Sequence, residues 1–139
     1  MTNKALIFES NDGTSRALAS ELALLSNTEV LDVARTPSHA LQLMRKHGSA
    51  WDLAVVDLSS MAHMALVVLQ ASENRLAHQR VLVLAKNECA QVRAECRALG
   101  ADFVFSKDGQ MDEFFSTCKR LASAESALTR FADRTRTSQ

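Results

Sequence analysis

Five short apolar runs punctuate the chain, and longer segments with helical spacing separate them. Ala5-Leu6-Ile7-Phe8, Leu53-Ala54-Val55-Val56 and Val81-Leu82-Val83-Leu84-Ala85 are continuous in apolar residues. Asp102-Phe103-Val104-Phe105 is nearly so, and Glu29-Val30-Leu31-Asp32-Val33-Ala34 alternates. Runs this short and this apolar predict strands covered on both faces, as in a parallel sheet, where neither face is left to water.

The segments between them predict helices. Thr14 to Leu25 sets Leu18, Leu22 and Leu25 on one stripe, with Asn11, Asp12 or Thr14 as the N-cap. Thr36 followed by Pro37 is a capping residue and a first-turn proline; Ala40, Leu41 and Met44 follow, and Gly48 is the stop. Ser60 to Leu69 is a third, apolar helix. Glu88 to Leu99 turns Val92, Cys96 and Leu99 inward and ends at Gly100. Asp112 to about Ala132 is a fifth, with Phe114, Cys118, Leu121, Leu128 and Phe131 spaced by three, four or seven. Strand and helix alternating over short connections define an α/β fold: an open, doubly wound, five-stranded parallel sheet with five helices on its two faces.

Ligands of such sheets bind beyond the carboxyl ends of the strands. Three polar groups stand there. Glu9 follows the first strand, Asp57 the third and Lys107 the fifth. If strands one, three and five pack with strand one central, all three meet on one edge. Any one of them alone is an ordinary solvated strand end. Together, two carboxylates beside an ammonium suit a hard divalent cation and a phosphoryl group. Mg²⁺ takes oxygen ligands, Asp57 is a candidate nucleophile forming an aspartyl-phosphate, and Lys107 can meet phosphoryl oxygens as a point charge.

Composition narrows the partners. The 139 residues suit one domain. Sixteen Lys and Arg balance sixteen Asp and Glu, which argues against a dedicated nucleic-acid or anionic-membrane binder. No apolar run approaches the ~20 residues of a membrane span, and the first residues do not form a secretory signal, so the expected location is cytoplasmic. Cys89, Cys96 and Cys118 have no zinc or redox spacing and read as reduced, partly buried thiols. His39, His47, His63 and His78 share no ligand spacing and read as surface or rim residues. Trp51 precedes the third strand and is expected to cover the opposite end of the sheet.

Two stretches carry a family likeness. Trp51-Asp52-Leu53-Ala54-Val55-Val56-Asp57 and Ala98-Leu99-Gly100-Ala101-Asp102-Phe103-Val104-Phe105-Ser106-Lys107 resemble the response-regulator receiver domain of two-component signalling, and the resemblance extends over about residues 3 to 121. It implies a flavodoxin-like strand order 2-1-3-4-5. It also implies Asp57 as phosphoacceptor, Lys107 as the phosphoryl-contacting lysine, and Glu9 as the first of an acidic pair. The metal set is then Glu9, Asp57 and the backbone carbonyl of Ser59. The departures are as specific. Ser10 stands where a second carboxylate ligates the metal, so Mg²⁺ is expected to bind weakly. Ala85 replaces a hydroxyl after strand four, and Val104 replaces the switching aromatic of strand five. Asp108 and Met61 replace prolines common in the family.

The implied protein is a stand-alone, atypical receiver spanning residues 1–121, with 122–139 as an extension of the last helix and a polar tail. It would accept a phosphoryl group from a histidine kinase or phosphotransfer protein and contact a downstream protein target. It is not an enzyme beyond self-phosphorylation and autodephosphorylation, and neither nucleic acid nor membrane is a partner. The alternative is a pseudo-receiver that binds proteins without phosphorylation, which Ser10 and Ala85 favour. A third reading, a flavin or nucleotide binder, draws on the polar loop from Glu9 to Ser15. Asp12 would repel a phosphate there, and Trp51 sits at the wrong end to wall a flavin. Leu128 and Phe131 admit two readings, a homodimer or partner contact through the last helix, or a frayed tail.

Overall fold

Each of the five apolar runs forms a strand in the computed structural model, which describes residues 2–59, 62–87 and 90–122. The strands are β1 (Asn3–Phe8), β2 (Thr28–Ala34), β3 (Leu53–Asp57), β4 (Arg80–Ala85) and β5 (Phe103–Ser106). The helices are α1 (Asp12–Ser26), α2 (Pro37–His47), α3 (Ala62–Ala71), α4 (Ala90–Ala98) and α5 (Met111–Leu121). All neighbouring strands pair in parallel, in the order β2-β1-β3-β4-β5. This is the order 2-1-3-4-5 that the family resemblance implies, so β3 lies at the centre, where the strand-end argument alone had set β1. The order reverses between β1 and β3, which opens a crevice at their carboxyl ends.

The continuous apolar runs are explained by two cores. Successive strand residues point to opposite faces. Leu6, Phe8, Ala54, Val56, Val81, Val83 and Val104 face α2, α3 and α4. Ala5, Ile7, Leu53, Val55, Leu82, Leu84 and Phe105 face α1 and α5. Trp51 is buried in the first of these layers, just before β3 begins. β2 is an edge strand, and its pairing with β1 skips Leu31, which accounts for its weaker, alternating pattern.

The caps follow local chemistry. Asn11 caps α1 through its side chain, accepting from the Thr14 N–H at 2.8 Å. Thr36 caps α2, with Pro37 in the first turn, and Gly48 ends it at φ 45°. After α4, Gly100 takes φ 108°, and the Ala101 N–H returns to the Cys96 carbonyl at 3.0 Å.

Several inward assignments change. Leu25 is 53% exposed, and the buried stripe of α1 runs through Ser15, Leu18, Leu22 and Ser26. Leu99 is 48% exposed, because the chain leaves α4 before that position completes the stripe. In α2 it is Leu43, not Leu41, that is buried beside Ala40. His47 and His78 are partly buried, at the rim and not fully exposed. His47 lies 3.5 Å from Asp32, and His78 lies 3.7 Å from Asp52 in a pair with both side chains buried or nearly so. Cys96 and Cys118 are buried free thiols, and burial pushes Cys118 up to about 12, so it stays protonated. Leu128, Phe131, Met61, Cys89 and the proposed extension beyond residue 122 lie outside the described residues.

Candidate functional site

The site is built where three strands end. β1 delivers Glu9 and β3 ends on Asp57, on either side of the crevice, and Lys107 follows β5. Both carboxylates are buried, at 1% and 3% exposure, whereas the Lys107 side chain is 33% exposed. Its Nζ crosses from the sheet edge and donates to Asp57 Oδ2 at 2.7 Å. It also lies 3.4 Å from Ser59 Oγ. The other carboxylate oxygen of Asp57 accepts from the Ser59 N–H at 3.0 Å and the Ser59 hydroxyl at 2.5 Å. Glu9 Oε1 accepts the Asn11 N–H at 2.9 Å.

These contacts set the charge state. Burial alone would raise the Asp57 carboxyl. Hydrogen bonds with Glu9, Lys107 and Ser59, together with the Lys107 charge, outweigh it and hold Asp57 below the usual 3.8. Asp57 is therefore a carboxylate at neutral pH, the form that acts as a nucleophile.

The loop after β1 offers little further charge to the site. Asn11 spends its side-chain oxygen on the α1 cap. Asp12 is drawn to Arg16 at 3.0 Å and to Arg35 at the end of β2. Neither adds a carboxylate beside Glu9. Among the described residues, no group of three or more His, Cys, Asp and Glu is placed to hold a metal. The donor set that remains fits a weakly held hard cation, because Mg²⁺ accepts one or two carboxylates and completes its shell with water and phosphate oxygens.

Beside the site a cavity of about 480 Å³ opens between α1 and the start of α5, lined by Ala17, Leu18, Leu84, Met111, Asp57 and Lys107 among others. Ala85 is buried at the end of β4, where its carbonyl accepts the Lys107 N–H at 2.7 Å. Val104 is buried under α4. His63 stands on the exposed side of α3. Sequence reasoning brought Glu9, Asp57, Ser59 and Lys107 to one edge and missed Gln110 and Arg93, which hold the Lys107 loop. No local signal marks either: one is a polar residue before a helix, the other one of several arginines.

No family model matches the chain, and no curated protein matches it by sequence. Solved structures do match in fold. A DNA-binding LuxR-family response regulator from Staphylococcus aureus superposes with a TM-score of 0.73 at 14% identity, over 87% of this chain and 99% of that one. A Francisella response-regulator receiver domain gives 0.71 at 17%, over 86% and 96%. A complex of the CheA3 P1 domain with CheY6 from R. sphaeroides gives 0.66 at 20%, over 84% and 95%. The chain thus has the fold of response-regulator receiver domains, in the flavodoxin-like order 2-1-3-4-5 with five helices. Among the described residues no helix is long and apolar enough to cross a membrane.

Proposed function

We propose that this protein is a signalling receiver that accepts a phosphoryl group on Asp57 and acts through protein contacts, not an enzyme with a separate substrate. The observation that carries the reading is the buried Asp57 carboxylate at the crevice, paired with Lys107 Nζ at 2.7 Å. A carboxylate oxygen attacks phosphorus, the bond from phosphorus to the donor breaks, and the donor leaves with the bonding electron pair and takes up a proton. Lys107 moves from the carboxylate to the incoming phosphoryl oxygens, so its charge stays paired throughout. Ser59 holds the second carboxylate oxygen and keeps the attacking one aligned. Glu9, Asp57 and the Ser59 carbonyl are the residues to hold Mg²⁺, which supplies charge neutralisation when bound. The donor is a histidine kinase or phosphotransfer protein. The complex of the CheA3 P1 domain with CheY6 is a structural neighbour, and it supports a protein partner.

Intact-mass measurement after treatment with acetyl phosphate and Mg²⁺ tests the reading. One phosphoryl group should add to the chain and none to Asp57→Asn. Label that persists in that variant would sink the assignment. A pseudo-receiver is the second reading, favoured by the commitment of Asn11 and Asp12 to other partners. It requires that no mass be gained at all.

A further inference from the structure

β5 closes one side of the sheet, and its outer edge carries the Val104 carbonyl and the Ser106 N–H. Residues two apart on a strand turn their backbone groups the same way, so these two form a ready template for another strand. Side chains take both positions instead. Arg93 reaches from α4 and donates through Nη1 to the Val104 carbonyl at 3.0 Å. Gln110 Oε1 accepts the Ser106 N–H at 2.7 Å. Arg93 Nη2 donates to that same oxygen at 3.1 Å, which closes the circuit. The Gln110 N–H returns to the Ser106 carbonyl at 3.0 Å. The loop carrying Lys107 is thereby pinned at both ends, and Gly109 makes its tight turn at φ 104°.

We propose that Gln110 and Arg93 are positioning residues for Lys107: their clasp sets the backbone from which the ammonium reaches Asp57 and ties that loop to α4. The inference rests on the reading of Asp57 as phosphoacceptor. Gln110 sits before α5 without capping it through its side chain, so that side chain is spent on the loop. Ala85 and Val104 supply neither hydroxyl nor aromatic ring, and the clasp is a polar link between the site and α4.

Amide hydrogen exchange at Ser106 and the rate of labelling by acetyl phosphate, both measured well below the melting midpoint, test it. Gln110→Leu keeps the bulk and removes the acceptor. Exchange at Ser106 should rise, and labelling at Asp57 should slow, each by about three- to tenfold, the worth of one hydrogen bond. Gln110→Glu restores the acceptor and should return both rates to near those of the unsubstituted chain. Arg93→Ala should shift the Lys107 amide resonance. Unchanged Ser106 exchange in Gln110→Leu overturns the proposal. So does faster exchange with labelling at the original rate, which would leave the clasp a structural edge cap alone. If the unsubstituted chain takes no label, the phosphoacceptor reading fails first, and the positioning role falls with it whatever the exchange shows.

Discussion

Ser10 is half-buried and follows a Glu9 side chain that is almost fully enclosed, and in the proposed receiver reading its hydroxyl takes the place of a second metal-ligating carboxylate. A hard cation gains more from a second carboxylate than from a neutral oxygen. Ser10→Asp is therefore expected to tighten Mg²⁺ binding at least several-fold, read by isothermal titration; equal affinity in the two proteins would show that residue 10 does not face the metal. Lys107 raises a different question. Viewed as an exposed strand-end charge, its loss would cost little stability. Its Nζ instead lies 2.7 Å from a carboxylate that is 3% exposed. Lys107→Ala strands that charge, and the expected cost is ~1–3 kcal/mol, below that of a fully buried pair because water reaches the lysine. Adding Asp57→Asn should recover much of the loss, and urea denaturation of the two single variants and the double closes the cycle.

At the scale of elements, β2 is the exposed edge of the sheet, and α2 is fastened to it through Asp32. Burial alone would raise that carboxyl. The Val33 N–H, the His47 side chain and the Lys46 charge outweigh burial and hold it below 3.8. The folded state thus releases the proton more readily than the unfolded chain. The contribution to stability is full above pH 3.8 and disappears as pH falls through the folded value. Asp32→Asn should accordingly lower the melting temperature at pH 6, and the difference from the unsubstituted protein should shrink as pH falls below 3.8. A constant difference across that range would place the effect in packing. The helices also show which local signals are dependable. Thr36-Pro37 and Gly48 bounded α2 to the residue, because capping is settled within a few positions. Leu25 and Leu99 had the right spacing to be inward and are exposed, because spacing names a stripe and not its length.

Over the whole molecule the sheet divides two cores, and each must be filled for the other to hold its shape. Phe114 is fully buried on the α1–α5 side, edge-on to Phe105 and Phe115 at 5.7 and 5.0 Å between ring centroids. Phe114→Ala should cost about 3–5 kcal/mol through lost burial and the cavity left behind. That is a large part of the 5–15 kcal/mol typical of a domain. A shift in the denaturation midpoint under about 1 kcal/mol would mean that α5 closes over the gap.

The strands, their parallel character and the helices between them could be read from residue order alone. A strand buried on both faces shows its burial in every residue, and capping and stop signals act over a single turn. The placement of Glu9, Asp57 and Lys107 at strand ends followed from the same local pattern. Which strand lies at the centre did not follow from that pattern; the order 2-1-3-4-5 came from the family resemblance, and the structure has it, with β3 central. Nor did the His78–Asp52 pair, or the Arg93–Gln110 clasp over the β5 edge. These join residues 26 and 17 positions apart in the chain. Side chains of unremarkable type become partners only when packing brings their backbones within reach, and that distance is set by the assembled sheet and helices, not by either residue's own neighbourhood.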